Sequence, residues 1–314
     1  MRPAPQALGD GIFAVDTEHV RPQADASYLI IEGGHAAFVD TGTARSVPNL
    51  LGALAALDIH VERVDYVLLT HVHLDHAGGA GALMASLPRA RIVVHPRGAP
   101  HLTDPGKLVA GTKAVYGEEA YAAQFGDAVP ISAERVVTVE DGERLVFGAR
   151  TLEFLHTPGH ALHHLCVLDR DTREVFTGDT FGVSYRESDT AAGPFIFPTT
   201  SPSQFDPAQL RASVARIAAL EPRCAYLTHY GRVDAVGKLA RDLDTEIDAF
   251  ARIARAGAAA PDRVPRIERE LFAHLSRRLQ AHGYAGDARA QHDLLDGDVA
   301  LNADGLDAWL RRAA

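Results

Sequence analysis

The chain has 314 residues, of which 46% are hydrophobic and 23% charged, so a disordered or fibrous class is excluded. Its formal net charge of −10 argues against nucleic acid as a partner, because a phosphate-binding surface is basic. Residues 1–6 lack the apolar stretch of a signal peptide, and no apolar run reaches the length of a membrane span. We therefore expect a cytoplasmic protein with no membrane partner.

The first predicted elements are strands and one helix. Alternating and β-branched apolar residues predict strands over 11–15, 27–32 and 35–40, with Gly33-Gly34 as a hairpin turn. Spaced apolar residues predict an amphipathic helix over 47–57. A buried strand follows over 65–69.

A cluster of ligand-type residues comes directly after that strand: His71, His73, Asp75 and His76. Neutral imidazole and carboxylate are the usual protein ligands of Zn²⁺ and Fe²⁺. Residues two apart in an extended chain point the same way, so the first three can share one side. A helix is expected over 77–87, which puts His76 at the bend from strand to helix. The cluster predicts a metal site.

Three downstream segments repeat one design, in which an apolar strand ends in a ligand-type residue beside glycine. These residues are His160, Asp179 and His229. Glycine at such a position lets the backbone approach a ligand closely. Further strands are predicted over 91–95, 136–139, 143–147 and 151–155, and a helix over 207–220.

The composition shifts after His229 to helical patterns over 234–256 and 262–282, with shorter helical pieces over 287–312. Leu271, Leu275 and Leu279 have the spacing of one buried face. We predict a domain over 1–232 and a C-terminal helical subdomain over 233–314. Two roles stay open for these helices: packing that includes homodimer contacts, and a lid over the pocket.

The ordered set His-x-His-x-Asp-His, then His160, Asp179 and His229, resembles the metallo-β-lactamase superfamily over roughly residues 10–232. The resemblance is closer to the glyoxalase-II and lactonase branch than to true β-lactamases. It implies an α+β fold, a four-layer αββα sandwich with two metals at the edge of its sheets. It assigns His71, His73 and His160 to one metal and Asp75, His76 and His229 to the other, bridged by Asp179.

The resemblance also implies the chemistry and the cofactor. Two divalent ions, zinc in the first instance and iron or an iron–zinc pair as the alternative, would hold a bridging hydroxide. This hydroxide would attack the carbonyl of an ester, thioester or lactone in a small-molecule substrate, while Asp75 orients it and passes a proton. The alternative function is an oxygen-binding or redox diiron protein on the same fold.

Several neighbours of these residues carry weaker signals. Tyr185 lies six residues after Asp179. Some family lactonases place a tyrosine that donates a hydrogen bond to the substrate carbonyl three residues after this aspartate. We predict a catalytic role for Tyr185 although its offset differs. Asp40 lies where the family supports its metal site. His164 is predicted as a core or supporting histidine, and His163 as an exposed one. Three phenylalanines fit either a pocket wall or plain packing: Phe181, Phe195 and Phe197.

Overall fold

The computed structural model describes residues 3–200 and 204–313. The chain divides into two compact units, each assembled from three segments. The first unit comprises Met1–His156, His163–Gly178 and Pro222–Asp234. The second unit comprises Thr157–Leu162, Asp179–Glu221 and Ala235–Ala314. The domain boundary between residues 232 and 233 remains a prediction.

The first unit contains two β-sheets. The seven strands of the first sheet are neighbours in chain order: β1 (Gln6–Gly9), β2 (Ile12–Asp16), β3 (Ala26–Glu32), β4 (His35–Val39), β5 (Val64–Leu68), β6 (Arg91–Val94) and β7 (Val136–Thr138). The first four strands pair antiparallel and the rest pair parallel. The six strands of the second sheet are β8 (Arg144–Phe147), β9 (Arg150–His156), β10 (Leu165–Asp169), β11 (Glu174–Gly178), β12 (Cys224–Leu227) and β13 (Gly231–Val233). Only β11 and β12 pair parallel there.

Helices connect the parallel strands of the first sheet, as parallel pairing requires. They are α1 (Val47–Ala56), α2 (Leu74–Ala77), α3 (Ala80–Ser86), α4 (Ala99–Thr103), α5 (Gly106–Tyr116) and α6 (Glu118–Gln124). Leu50 of α1 and Leu83 of α3 are fully buried in one core with Phe38, Val67 and Ile92 of the sheet. Burial of this apolar face fixes the helices against the strands.

Tyr28 joins the two sheets. Its ring lies 5.4 Å from that of Phe176 and 5.3 Å from that of Tyr226, measured between centroids, and both partners are in the second sheet. Its hydroxyl donates a hydrogen bond to the Leu227 carbonyl. The inner faces of the sheets therefore meet in an aromatic layer, close to the strand ends that carry the site.

The second unit is helical. Its helices are α7 (Pro207–Ala219), α8 (Val236–Gly257), α9 (Arg263–His282) and α10 (Ala288–Ala313). Leu271, Leu275 and Leu279 are fully buried, as their spacing predicts. None of the helices that the structure describes has both the length and the apolarity needed to cross a bilayer. The predicted α+β class with a C-terminal helical region is confirmed.

The last helix corrects one prediction. Shorter helical pieces were expected over 287–312, but α10 is continuous over 26 residues. Gly297 and Gly305 lower its intrinsic helix propensity. A buried stripe outweighs that cost, since most helical stability comes from packing of an apolar face. The stripe consists of Leu294, Leu295, Val299, Ala303 and Leu306.

Candidate metal centre

The ligand-type cluster follows β5 as predicted. His73 keeps an extended backbone and caps α2, which begins at Leu74. Asp75 and His76 therefore lie in the first turn of a helix, whereas His71 and His73 precede it. This change from extended chain to helix turns the two halves of the cluster toward different points.

Asp75, His76 and His229 form the first group. One ligand-type atom from each lies within 4.8 Å of the others. The Nε2 atoms of His76 and His229 lie 3.5 and 3.7 Å from the same oxygen, Oδ2 of Asp75. Two imidazoles thus converge on one carboxylate.

A second carboxylate lies behind each of these imidazoles. Oδ2 of Asp40 lies 2.9 Å from Nδ1 of His76, and Oδ1 of Asp25 lies 2.6 Å from Nδ1 of His229. Both aspartates are buried. Because an ionised carboxylate only accepts hydrogen bonds, Nδ1 of His76 donates to Asp40, and Nδ1 of His229 lies at ion-pair distance from Asp25. In each neutral ring Nε2 then carries a lone pair, and the lone pairs of His76 and His229 both face the anionic Oδ2 of Asp75.

The arrangement of these nitrogen and oxygen atoms suits a bound metal cation. Lone pairs and a carboxylate at these distances repel one another, and a cation among them turns the repulsion into coordination. Histidine ligands of metals commonly donate the other ring N–H to a carboxylate or a backbone carbonyl, which is the pattern here. The donor set suits zinc or iron.

Asp40 accepts hydrogen bonds from several of the residues around the cluster. Its Oδ1 accepts from the Thr70 amide at 2.9 Å, and its Oδ2 accepts from the hydroxyls of Thr70 and Thr228 at 2.7 and 3.2 Å. The residue adopts a left-handed backbone with φ of 56°, which aims the side chain under the cluster. The predicted supporting role of Asp40 agrees with this geometry.

Asp25 was missed by sequence reasoning. It lies immediately before β3, where it contacts a histidine 204 positions further along the chain. The only local signal was an aspartate between two alanines at the start of an apolar strand. Its partner becomes visible only once the two sheets are assembled.

His71 and His73 form the other half of the cluster. The Thr70 hydroxyl donates to Asp40 and so accepts from Nδ1 of His71, 3.2 Å away. Nε2 of His71 then lies 2.9 Å from Nδ1 of His73. Two ring nitrogens therefore meet at a separation suited to two ligands of one ion.

Two further histidines pack on His71. His164 is buried, as predicted, and its ring lies 4.9 Å from that of His71. The prediction that His163 is exposed was wrong, because only 6% of it is accessible. The turn before β10 directs both neighbours inward, and the His163 ring stacks 6.1 Å from His71.

His160 and Asp179 belong to the second unit and form a pair of the same design. Nε2 of His160 lies 3.3 Å from Oδ2 of Asp179, and both side chains are buried. Nδ1 of His160 lies 3.2 Å from the Thr199 carbonyl oxygen, which only accepts, so this nitrogen again carries the proton. The seven predicted ligands therefore occur as five in the first unit and two in the second.

Gly178 sets the chain direction just before Asp179. It has φ of 47°, and a Cβ there would lie 2.6 Å from Nε2 of His164 and 2.7 Å from the Thr70 hydroxyl. A larger residue would collide with the groups that support His71. The position therefore requires glycine.

Tyr185 has a protein partner. Its hydroxyl donates to Oδ1 of Asp298 at 3.4 Å, and 7% of the residue is accessible. The predicted catalytic role of Tyr185 stays a prediction. The three phenylalanines nearby in sequence are all buried, which favours packing over a pocket wall: Phe181, Phe195 and Phe197.

Residues 21–229 match the model of the metallo-beta-lactamase superfamily, and the chain belongs to this superfamily. It is 26% identical over 215 residues to the metallo-beta-lactamase fold-containing protein ST1585 of Sulfurisphaera tokodaii, covering 68% of this chain and 75% of that protein. The crystal structure of ST1585 aligns with a TM-score of 0.62 at 25% identity, over 77% of this chain and 86% of the other. The predicted family and fold are confirmed.

Two enzymes are also similar. A hydroxyacylglutathione hydrolase of Aeromonas hydrophila is 30% identical over 193 residues, which cover 62% of this chain and 56% of the relative. The acyl-coenzyme A thioesterase MBLAC2 of Bos taurus is 29% identical over 188 residues, covering 56% of this chain and 65% of the relative. The chain thus spans between half and two thirds of these enzymes. The prediction of a hydrolase of this superfamily is confirmed at that level.

Proposed function

We propose that this protein is a dinuclear metal-dependent hydrolase that cleaves an ester, thioester or lactone in a small-molecule substrate. One observation carries the proposal: in both units, imidazole Nε2 atoms face a carboxylate while each Nδ1 faces an acceptor. Such an array is arranged for cations.

The ligand assignment that the family resemblance implies is part of this proposal. His71, His73 and His160 would hold one divalent ion. Asp75, His76 and His229 would hold the other, and Asp179 would serve both. Zinc is the metal we expect first, because borderline imidazole and carboxylate ligands suit it.

When bound, two divalent ions supply Lewis acidity that lowers the pKa of water and polarises a carbonyl oxygen. The chain supplies orientation and proton transfer. Asp75 is partly accessible, unlike the fully buried His76, so its carboxylate can accept a proton from water and deliver it to a leaving group. Asp25 and Asp40 fix the two imidazoles behind it, so that no reorientation accompanies the reaction.

The names of the relatives favour thioesters among the three substrate classes. One relative is named an acyl-coenzyme A thioesterase and another a hydroxyacylglutathione hydrolase. We therefore propose a thioester with a small acyl group as the first substrate to assay. Matched oxygen esters and lactones complete the panel.

The test combines metal content, visible absorption and turnover in one preparation. We expect two zinc ions per chain, no visible bands and hydrolysis of at least one thioester. Asp179→Ala should lose metal and activity together, whereas Asp169→Asn, at a buried aspartate whose ion-pair partner is Arg150 and not a proposed ligand, should keep both. Two irons with oxygen-sensitive absorption and no turnover across the panel would overturn the hydrolase in favour of the diiron alternative.

A further inference from the structure

A short segment of the second unit links His160 to helix α10. The Thr199 carbonyl faces Nδ1 of His160 at 3.2 Å. The next residue, Thr200, is bound twice to Asn302: its amide donates to the Asn302 side-chain oxygen Oδ1 at 2.8 Å, and its hydroxyl donates to the Asn302 carbonyl at 3.1 Å. Thr200 and Asn302 are 2% and 1% accessible, so water does not compete for these bonds.

The orientation of the Asn302 amide is itself fixed. Its Nδ2 donates to the carbonyl of Asp298, one helical turn earlier, at 2.8 Å. Its Oδ1 therefore points at the Thr200 amide. One turn later in α10, a Cβ at Gly305 would lie 2.7 Å from the Thr200 carbonyl oxygen and 3.0 Å from its carbon. Glycine there allows the helix to lie against this segment.

We propose that Asn302 is a positioning residue for His160, acting through the Thr199 carbonyl; this rests on the proposed role of His160 as a metal ligand. Asn302 holds the backbone of Thr200, and with it the carbonyl that keeps the proton on Nδ1 of His160. The Nε2 lone pair is then already directed at Asp179 before metal arrives. The C-terminal helix is thereby part of the ligand support.

Loss of the Asn302 amide has a defined consequence. The Thr200 N–H would be left buried without its acceptor, so the segment shifts to find another. The Thr199 carbonyl then moves off Nδ1, and the His160 ring gains a second orientation and a second tautomer. Metal affinity falls because ligand order must then be established upon binding. Loss of an outer partner of a metal ligand typically costs 10–100-fold in affinity.

A matched control separates this role from plain packing. Gln291 is another buried amide on α10, and its partners are Ser276 and the Gly286 carbonyl rather than the 199–200 segment. Gln291→Leu should also lower stability, because it removes two hydrogen bonds of a buried amide, from the Ser276 hydroxyl and to the Gly286 carbonyl. Only Asn302→Leu should change the metal site.

The experiment measures Zn²⁺ affinity of the full chain by competition with a chromophoric chelator at neutral pH, together with the Tm of the metal-free protein. We expect Asn302→Leu to lower the affinity for one of the two zinc ions roughly tenfold. This is the lower end of the 10–100-fold range, because Asn302 acts on His160 through Thr199. Gln291→Leu should keep wild-type affinity. Wild-type affinity in Asn302→Leu, or equal weakening in both variants, would overturn the proposal.

Two more variants cover the remaining outcomes. If Asn302→Leu does not fold, Gly305→Ala, one turn later on the same face of α10, displaces the same Thr200 backbone and should weaken the affinity for the same ion; unchanged affinity there overturns the proposal. His160→Ala distinguishes the two levels of inference. If His160→Ala binds zinc like wild type, the proposed metal centre fails. If it loses an ion while Asn302→Leu does not, only the role of Asn302 fails.

Discussion

The two units hold their histidines by different means. In the first unit, Nδ1 of His76 and of His229 each faces a buried side-chain carboxylate, from Asp40 and Asp25. In the second unit, Nδ1 of His160 faces a backbone carbonyl that is itself held by a helix. A side-chain acceptor can be deleted by one substitution, whereas a backbone acceptor can only be displaced. The effects of mutation should therefore be largest in the first unit.

Asp40→Asn should have the largest effect. Three donors converge on Oδ2 of Asp40, from His76, Thr70 and Thr228, and an amide NH₂ in its place would face them with a fourth donor. We expect a loss of about 1–3 kcal/mol in the free energy of unfolding, because buried donors lose their acceptor, and a 10–100-fold loss in zinc affinity. Urea denaturation and chelator competition measure the two.

Asp169→Asn is the control for Asp40→Asn. Asp169 is a buried carboxylate of the first unit that accepts from Arg150 at 2.6 Å. Its substitution should lower stability while zinc affinity stays at the wild-type value. If Asp40→Asn also kept wild-type zinc affinity, Asp40 would contribute to folding alone. The larger effect on metal binding expected for the first unit would then be wrong.

Asp25→Asn should have an intermediate effect confined to the metal. Its carboxylate lies against a single ligand, His229, so we expect zinc affinity to fall about tenfold. The matched control is Asp65→Asn, which breaks a His–Asp pair of similar length, with His35 at 2.8 Å, on a partly exposed surface. Equal zinc affinities for the two variants would show that the carboxylate behind His229 has no role in binding.

His95 is a buried histidine whose Nδ1 has the opposite hydrogen-bonding role to that of the proposed ligands. Its Nδ1 accepts from the Arg97 amide at 3.1 Å instead of donating, and its ring stacks on His156 at 4.6 Å. Burial lowers the pKa of His95 below the ordinary value of 6.5. The unfolded chain then binds the proton first, so this part of the stability is complete above pH 6.5 and declines as the pH falls.

His95→Gln should remove that decline. The measurement is the free energy of unfolding against pH for wild type and variant, with the difference isolating His95 from the other histidines. We expect the wild-type curve to fall more steeply on acidification below pH 6.5. A steeper fall in the variant would mean that His95 is stabilised by protonation, contrary to its buried acceptor role.

Much of the first unit could be predicted from the sequence, because its signals are local. Apolar runs located β3 to β6 within one or two residues, and the spacing of His71 to His76 predicted a cluster of candidate metal ligands with a bend that divides it. β1 was missed because the segment Gln6–Gly9 is short and largely exposed, so it lacks an alternating pattern. Its strand character comes from pairing with β2.

The supporting groups could not be predicted, since they depend on residues far apart in the chain. Asp25 and His229 meet only when the strands assemble, and Thr199 is recruited through its backbone, which no side-chain motif records. His163 was misjudged for a related reason: its exposure depends on the direction of a turn. The proposed ligands thus have local sequence signatures, whereas the residues that orient them have almost none.

The measurement that tests the central claim most directly is anomalous scattering from zinc-loaded crystals. The account predicts two zinc peaks about 3.5–4 Å apart, one bounded by His71, His73 and His160 and the other by Asp75, His76 and His229, with Asp179 between them. A single peak, or two peaks in separate places with Asp179 bound to neither, would contradict it.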